Sequence, residues 1–220
     1  MSKRSLDVTA DLVLRAYSIG LFPMAETRDS TRLHWLDPQM RGHLPLDGFH
    51  LSRRLLRTVL SGPYTVTVDH DFRATIAACA APTPLRPDTW INETIERLFT
   101  EIYELGYGHS VETWLDGQLV GGLYGVAIGG VFFGESMFSR SRDASKVALV
   151  HLVARLRMGG FRLLDTQWVT SHLSQFGAEE IMREAYRERL EIAISQRAEF
   201  NPSPDPAALR AEFIRMAKGE

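Results

Sequence analysis

A single glutamate lies inside an apolar, glycine-rich segment near the middle of the chain. Glu135 follows the run Val131–Gly134, and no cationic residue lies closer to it in the sequence than Arg140. An unpaired charge is costly to bury, so a strand with apolar side chains on both faces would not carry Glu without a reason. Glu135 is therefore either a strand-end residue in contact with solvent, or a carboxylate on the wall of a pocket whose floor is Phe132 and Met137.

The composition is that of an ordinary globular protein. The chain has 220 residues, of which 45% are hydrophobic, and can bury a sizeable core. Its formal charge is -2 and its pI is near 6.4, so it has no global electrostatic signature of a nucleic-acid binder. Any nucleic-acid partner would have to be held by a local basic patch.

The cysteine, histidine and hydropathy patterns exclude several kinds of site. Cys79 is the only cysteine, which excludes an internal disulfide and favours a reducing compartment. The 7 histidines lack the paired helical spacing with carboxylates that metal sites use. No segment has the character of a signal peptide or a membrane span. We expect a cytoplasmic protein with no metal, no cofactor and no membrane partner.

Residues 1–84 predict a small α+β domain. Thr9 can cap a short helix, and His50 or Ser52 can open a second helix that carries several arginines. Prolines interrupt the extended pieces between these helices, and a strand and a helix of small residues follow. The proline run at 82, 84 and 87 predicts a domain boundary, which we place between residues 84 and 85.

Residues 85–200 predict a larger domain. Asn92 can cap an amphipathic helix, and Asp116-Gly117 and Gly129-Gly130 predict tight turns between three antiparallel strands. The pattern then predicts a helix, an apolar strand and a final helix at residues 144–158, 161–165 and 178–194. Residues 201–220 form a proline-spaced tail that could carry one short, loosely held helix.

This order of elements is that of the acyl-CoA N-acyltransferase fold. We therefore expect an α+β protein with an acyltransferase-like domain and an antiparallel meander, preceded by the small amino-terminal domain. Two activated donors are then candidates, acyl-CoA and aminoacyl-tRNA. An acyl-CoA enzyme of this fold needs a glycine-containing loop that binds pyrophosphate at a helix amino terminus. The segment Ser139–Lys146 contains no glycine, which disfavours acyl-CoA.

Four blocks of sequence carry a family resemblance. They read AYSIGLFPMAE, WLDPQMRGHLPLDGFHLSRRLLR, HSVETWLDGQLVGGLYGVAIGGVFFGESMFSR, and ASKVALVHL through LLDTQ, at residues 16–26, 35–57, 109–140 and 144–167. In this order and spacing, they make the chain similar to the leucyl/phenylalanyl-tRNA-protein transferase family over all but its two tails. The resemblance implies transfer of Leu or Phe, with Met as a further candidate, from aminoacyl-tRNA to the α-amine of a protein that begins with Arg or Lys. Such a transfer would mark that protein for N-end rule degradation.

Transfer from an ester to an amine needs no ATP or metal, but the amine must be neutral and the oxyanion must be stabilised. The resemblance makes Asp165 and Gln167 the catalytic pair. Asp165 ends an apolar strand, where poor solvation would make it a better proton acceptor, and Gln167 can orient the amine. Asp165 could instead cap the next turn, or act as an electrostatic helper while the substrate's ribose hydroxyl moves the proton. Thr166 is expected to point away from the chemistry.

By the same resemblance, four side chains line the aminoacyl pocket: Phe132, Glu135, Ser136 and Met137. In this interpretation Glu135 positions the aminoacyl end, whereas the more common role of Phe132 and Met137 would be sheet core. Strict alternation along a strand puts Phe133 rather than Phe132 on the face of Glu135. The pocket therefore requires a β-bulge near Gly134.

The terminal adenosine of tRNA is single-stranded and is expected to stack on an aromatic side chain. Trp35 and Trp114 are the candidates, although a tryptophan half-buried under a loop is more often structural. Four arginines could contact acceptor-stem phosphates or simply be solvated: Arg41, Arg53, Arg54 and Arg57. The alternatives to a transferase are an acyl-CoA-dependent N-acetyltransferase and a non-catalytic tRNA-binding module, which would not need Asp165 and Gln167.

Overall fold

The computed structural model describes residues 8–84 and 86–220, and eight helices form within them. Thr9, Ser52 and Asn92 each accept a hydrogen bond from the backbone N–H three residues later, which fixes the first turn of the helix that follows. The helices are α1 (Ala10–Ser18), α2 (Arg53–Ser61), α3 (Phe72–Ala80), α4 (Glu93–Glu104), α5 (Ala144–Met158), α6 (Ser171–Ser174), α7 (Arg183–Ile194) and α8 (Pro206–Lys218).

Nine strands form two sheets within the same residues. They are β1 (Phe22–Ala25), β2 (Leu33–Leu36), β3 (Met40–His43), β4 (Thr65–Val68), β5 (Gly108–Leu115), β6 (Gln118–Ile128), β7 (Val131–Ser139), β8 (Leu163–Gln167) and β9 (Glu179–Met182). β1 and β2 pair with each other, and the other seven form one sheet in the order β4-β5-β6-β7-β8-β3-β9. The predicted α+β class is confirmed.

β5, β6 and β7 are neighbouring antiparallel strands joined by tight turns. Asp116 and Gly117 have φ angles of 50° and 73°, and Gly129 has a φ of 55°. A Cβ atom at Gly129 would also lie 2.0 Å from the carbonyl oxygen of Ile194, so this turn requires glycine. After β7, the chain crosses over through α5 and returns as β8, which runs parallel to β7.

Two hydrophobic cores flank the large sheet. The first core contains buried residues of α1, α3, α4 and α7, and the second contains those of α2, α5 and α8. α5 is buried along most of its length because it packs between the sheet and the two helices α2 and α8. The sheet is therefore covered by a different set of helices on each side. Residues of both cores contribute to the site described below.

The large sheet crosses the proline run at which a domain boundary is predicted. β4, which precedes the run, pairs with β5, which follows it. β3 also precedes the run and lies between β8 and β9. The first core likewise joins Tyr17 and Phe22 to Phe133 and Leu163. The divisions after residues 84 and 200 stay predictions, and no break in the sheet coincides with the first of them.

The segment predicted as one helix over residues 178–194 begins as a strand. Glu179–Met182 form β9 on the edge of the sheet beside β3, and α7 begins only at Arg183. Backbone pairing with an open sheet edge outweighs the helical propensity of these residues. The helical part of the prediction holds from Arg183 onward.

The tail helix α8 is held more firmly than the sequence suggests. Phe213 and Met216 are buried in the second core. Glu212 is only 4% exposed, and its carboxylate lies 2.6 Å from Nε of Arg157 in α5. The expectation of a loosely held tail is therefore wrong for this helix, because its apolar stripe and its ion pair both find partners on α5.

Candidate active site

A β-bulge in β7 sets the direction of Glu135. Tyr124 of β6 pairs with Ser136, whereas the next residue, Gly125, pairs with Gly134. Glu135 is therefore an extra residue with no partner on β6, and the alternation of faces is reset after it. The bulge that the pocket hypothesis requires near Gly134 is confirmed.

A second irregularity lies at the end of β8. Gly42 of β3 pairs with Gln167 and His43 pairs with Asp165, so Thr166 is the extra residue here. Gln167 has a φ of 58°, which is uncommon for a residue with a side chain and is often a feature of functional sites. A Cβ atom at Gly42 would lie 2.5 Å from the backbone of Trp168, so only glycine allows this close approach.

A cavity of about 430 Å³ lies where β7 and β8 separate. The parallel pairing of the two strands ends at Phe133 and Asp165, and the residues beyond that pair line the opening. Its apolar wall comes from residues of the second core: Leu123, Met137, Leu149, Leu152, Leu164 and Leu173. A concave, mostly apolar site with a few converging polar groups is the usual form of a small-ligand pocket.

Glu135 projects into the polar part of this cavity. The hydroxyl of Tyr17 donates a hydrogen bond to its Oε1 at 2.7 Å, and Nε2 of Gln167 lies 3.4 Å from the same atom. Burial raises the pKa of Glu135 to about 8, with a further rise from Asp165, against the hydrogen bond from Tyr17 and the charge of Arg41. Within residues 8–84 and 86–220, no lysine or arginine forms a salt bridge with Glu135.

Asp165 lies behind the cavity, fully buried and fully hydrogen-bonded. Nε of Arg41 lies 3.0 Å from its Oδ1, and Nη2 of Arg41 lies 2.6 Å from its Oδ2. The Tyr186 hydroxyl donates to Oδ2 at 2.7 Å, and the backbone N–H of Gln167 donates to Oδ1 at 2.8 Å. Both carboxylate oxygens are therefore occupied, and the bond to Gln167 holds that residue in its left-handed conformation.

Arg41 is only 1% exposed, which does not fit its predicted contact with tRNA phosphates. Besides its hydrogen bonds to Asp165, it donates from Nη1 to the carbonyl oxygen of Gly20 at 2.9 Å. Its guanidinium lies 4.5 Å from the ring centroids of both Phe22 and Tyr186. The phosphate role of Arg41 is corrected to a structural one, since an arginine with every donor direction enclosed has none left for an external phosphate.

The predicted pocket residues separate into two groups. Glu135, Ser136 and Met137 line the cavity. Phe132 does not, because it is completely buried in the second core, where its ring centroid lies 5.8 Å from that of Phe200. Thr166, which was expected to point away, does line the cavity, because its extra position in β8 turns it toward the apolar wall.

The structure changes which tryptophans are candidates for stacking on the terminal adenosine of tRNA. Trp90 and Trp168 line the cavity, and Trp168 is 41% exposed. Trp35 does not line it, but it pairs across the β1-β2 hairpin with Pro23, which does. Trp114 lies on β5, where its Nε1 donates to Thr67 at 2.7 Å, and it takes no part in the cavity. Sequence reasoning gave Trp90 and Trp168 no role, because nothing in their local sequence shows that the fold brings them to β7.

Three buried polar atoms at the cavity have no hydrogen-bond partner within the described residues: the Tyr124 hydroxyl, Oγ1 of Thr166 and Nε2 of His172. Unpaired buried polar groups are rare and often mark a place where a ligand or water binds. All three side chains also belong to the lining of the same cavity. Their convergence supports a cavity built to receive a molecule with polar atoms.

The arginines of α2 lie on the surface. Arg53, Arg54 and Arg57 are exposed, and Nη1 of Arg54 pairs with Asp143 at 2.7 Å just before α5. This pairing brings α2 to the loop that follows β7, and Ser139, the last residue of β7, lines the cavity. Their exposure is compatible with contacts to phosphates, whereas the burial of Arg41 is not.

Two family models match the sequence. One is described as leucyl/phenylalanyl-tRNA protein transferase and covers residues 43–191, and the other is the amino-terminal domain of the same protein and covers residues 7–39. The chain belongs to the leucyl/phenylalanyl-tRNA protein transferase family. It is therefore a tRNA-protein aminoacyltransferase, and the family resemblance carried by the four sequence blocks is confirmed.

Curated relatives agree with this assignment. A leucyl/phenylalanyl-tRNA--protein transferase of Paramagnetospirillum magneticum is 62% identical over 194 residues, which cover 88% of this chain and 93% of the relative. One from Rhodopseudomonas palustris strain TIE-1 is 56% identical over 203 residues, covering 92% of this chain and 90% of the relative. The matched family members thus align over nearly their whole length.

The solved structures give only a distant likeness. The carboxy-terminal domain of a lysylphosphatidylglycerol synthetase from Agrobacterium fabrum, itself described as putative in function, aligns with a TM-score of 0.43 and 13% identity, over 94% of this chain and 63% of that one. Such a score carries no conclusion about this transferase family member, so the acyltransferase-like fold stays a prediction.

Residues 8–84 and 86–220 contain neither a cluster of metal-binding side chains nor a helix that could span a membrane. No group of three or more His, Cys, Asp or Glu side chains placed to hold a metal ion occurs among them. In the same part of the chain, no helix is both long enough and apolar enough to span a membrane.

Proposed function

We propose that this family member transfers Leu or Phe, with Met as a further candidate donor, from aminoacyl-tRNA to the α-amine of proteins that begin with Arg or Lys. The transfer would take place in the cytoplasm, where charged tRNA is made, and would mark those proteins for N-end rule degradation. The observation that carries the proposal is the cavity between β7 and β8, which is apolar at one wall and polar at Glu135 and Gln167. Family membership supplies the class of reaction, and the cavity supplies a place for the donor.

The apolar wall suits a leucyl or phenylalanyl side chain. Met137, Leu149 and Leu152 are flexible or γ-branched side chains, and they can pack around a donor that has no branch at Cβ. Hydrophobic contacts discriminate between such donors by only about 1 to 3 kcal/mol for each methylene. The shape of this wall, rather than any single contact, is therefore the proposed source of donor selectivity.

In this proposal Gln167 faces the reacting ester. Its side-chain nitrogen is already directed toward Glu135, and its amide can orient the amine or steady the oxyanion. Asp165 acts on Gln167 through the backbone hydrogen bond at 2.8 Å and does not reach the cavity itself. We therefore assign Asp165 as a positioning residue, which is the electrostatic helper among the three roles that the sequence left open.

The tRNA would approach over the exposed side of the cavity. Trp35, Trp90 and Trp168 are the proposed stacking surfaces for the terminal adenosine, and Trp114 is not, because of its distant place on β5. Arg53, Arg54 and Arg57 remain the proposed contacts to acceptor-stem phosphates. Such contacts would be sensitive to salt and largely blind to tRNA sequence.

The loop before α5 supports aminoacyl-tRNA rather than acyl-CoA as the donor. Asp143 precedes α5 with a φ of 63° and makes no capping hydrogen bond, and its carboxylate is held by Arg54 and Lys146. A carboxylate at this position would repel a pyrophosphate, which needs free backbone N–H groups and a positive field. No cofactor is required by the proposal.

The test is a transfer assay with Leu-charged tRNA and a peptide that begins with Arg, beside the same peptide beginning with Ala. We expect an Arg peptide that is one leucine heavier, little product with the Ala peptide, and loss of product in Gln167→Ala. Gln118→Ala, at an exposed position of β6, is the matched control that should behave as wild type. Binding of charged tRNA without transfer would support a binding module instead, and acetylation from acetyl-CoA would support an acetyltransferase.

A further inference from the structure

The attacking α-amine is largely protonated near neutral pH, since its ordinary pKa is about 7.7 to 8.0. One proton must therefore leave it before the C–N bond can form. Three side chains at or behind the cavity could accept that proton: Asp165, His172 and Glu135. The structure separates them by what each of their basic atoms already contacts.

Asp165 is not available to a substrate. Its two oxygens are enclosed by the hydrogen bonds from Arg41, Tyr186 and the backbone of Gln167, and its exposure is 0%. It does not belong to the lining of the cavity. Protonation of Asp165 would also leave the buried Arg41 without its counter-ion, which is strongly unfavourable.

His172 lines the cavity, and its Nε2 has no hydrogen-bond partner among the described residues. Nε2 of Gln175 lies 3.5 Å from Nδ1 of His172, and an amide nitrogen can only donate, so Nδ1 is the acceptor of this pair. The proton of a neutral imidazole then resides on Nε2, the unpartnered atom at the cavity. Burial and the charge of Lys146 lower the pKa of His172, which keeps the ring neutral. It is placed to donate a hydrogen bond.

Glu135 remains, and its geometry suits the task. It is the only acidic residue among the described ones that line the cavity, and the bulge in β7 leaves it unpaired across the sheet. Its Oε1 is shared by Tyr17 and Gln167, both neutral donors. We propose that Glu135 is the general base that takes the proton from the α-ammonium group of the acceptor, a catalytic role beyond positioning the donor.

The proposed step rests on the aminoacyl transfer described above and balances as follows. The α-ammonium gives one proton to Glu135, and the resulting neutral amine attacks the ester carbonyl carbon. The C–N bond forms, the bond between the carbonyl carbon and the ribose oxygen breaks, and a second proton of the nitrogen passes to that leaving oxygen. Glu135 then releases its proton to solvent. One proton is released for each amide formed, and no oxidant, metal or cofactor is needed.

The charged and titratable groups around Glu135 bring its pKa close to that of the α-ammonium group of the acceptor. Tyr17 faces it from α1, Tyr124 from β6, Arg41 from β3 and Asp165 from β8. Burial raises the pKa of Glu135 to about 8, close to that of an α-amine. Transfer between groups of similar pKa is the favourable case for general base catalysis.

The test compares Glu135→Gln with wild type on two acceptors. One acceptor is a peptide that begins with Arg, and the other is the same peptide with an aminooxy group in place of the α-amine, which is already neutral at pH 7. We expect kcat for the ordinary peptide to fall by on the order of 10²-fold, within the usual range for a lost general base. The loss with the aminooxy peptide should be at least about tenfold smaller, and KM for charged tRNA should change little.

The outcomes separate the two proposals. An equal loss with both acceptors would overturn the role of Glu135 as base and leave the transferase activity standing. No transfer by the wild-type protein to the ordinary peptide would overturn the proposed function, and this assignment with it. Binding of charged tRNA by the variant, measured beside the assay, shows that the variant is folded and that its site is intact.

A second variant tests the pH profile of kcat, which would not shift if the role of Glu135 were purely structural. Tyr17→Phe removes a hydrogen bond that stabilises the ionised form of Glu135, so the pKa of Glu135 should rise. The rise of kcat with pH should therefore shift to higher pH for the ordinary peptide. The rate with the aminooxy peptide should keep its pH profile. An unshifted profile with the ordinary peptide would overturn the assignment.

Discussion

β7 and β8 each carry a carboxylate at the site, Glu135 half-buried and Asp165 fully buried, and the two are held in different ways. Asp165 has a guanidinium against both of its oxygens, whereas Glu135 has, among the described residues, only a tyrosine hydroxyl and an amide nitrogen as donors. Burial disfavours a charge, and a paired opposite charge offsets more of that cost than neutral hydrogen-bond donors do. The two carboxylates of this site therefore have different roles. The one beside Arg41 stays fixed and supports its neighbours, and the one without a cation can exchange a proton.

The largest expected effect comes from removing the cation that distinguishes the two sites. Arg41→Met would leave Asp165 buried without a counter-ion, and breaking a buried pair in this way costs about 3 to 5 kcal/mol of unfolding free energy. Urea denaturation measures the loss. Arg53→Met, on the exposed face of α2, is the matched control and should stay within about 0.5 kcal/mol of wild type. A loss below about 1 kcal/mol for Arg41→Met would contradict the account of Asp165.

The second prediction concerns the pH dependence of stability at Glu135. Its pKa is raised in the folded protein to about 8 from an ordinary value of 4.5, so the folded state binds more protons between these two values. Stability should therefore be fully present below about pH 4.5 and should decline as pH rises toward 8, by up to about 1.4 kcal/mol per pH unit.

Glu135→Gln removes this titration and provides the comparison. The difference in unfolding free energy between the variant and wild type should grow in favour of the variant from pH 5 to pH 8. Taking the difference cancels the contributions of the histidines, which titrate in both proteins. A constant difference across this range would show that Glu135 is ionised throughout.

The smallest effects should come from replacing the two tyrosines that donate to the carboxylates. The difference between the two replacements tests the contrast between Glu135 and Asp165. Tyr17→Phe removes one of the two donors to Glu135 that the described residues supply, whereas Tyr186→Phe leaves Asp165 with its arginine and a backbone N–H. Each loss should cost about 1 to 3 kcal/mol, with the cost for Tyr17 larger at pH 9, where Glu135 is ionised, than at pH 5. Thermal unfolding of both variants at the two pH values measures this. Equal pH dependence for the two would argue against the distinction.

Local patterns predicted much of the fold. The helix caps at Thr9, Ser52 and Asn92 and the turns at Asp116-Gly117 and Gly129-Gly130 depend on neighbouring residues, and the structure contains them. β9 was missed because its pairing with β3 joins segments far apart in the chain. Pairing of this kind depends on what the rest of the sheet leaves open, which no local pattern contains.

In the candidate site, too, some features follow from local sequence and others depend on segments far apart in the chain. The bulge at Glu135 followed from a conflict between strand alternation and the pocket hypothesis, and so could be anticipated. The burial of Arg41 could not, because its partners Gly20, Tyr186 and Asp165 come from three distant segments. Phe132 was misplaced for a related reason. The bulge determines the faces of the strand on which the neighbouring side chains lie. Whether Phe132 is enclosed in a core depends on the other segments that build the second core, and local sequence does not show them.

The most direct test of the contrast between the two carboxylates is the titration of Glu135 in the resting protein. Carbon-13 NMR of side-chain carboxyl groups in protein labelled at glutamate would follow it, with Glu135→Gln used to assign the signal. We predict one glutamate signal, absent in the variant, that titrates with a midpoint of about 8. A signal at this position that is already ionised at pH 6 would contradict the account, because the pKa of Glu135 would then lie well below 8.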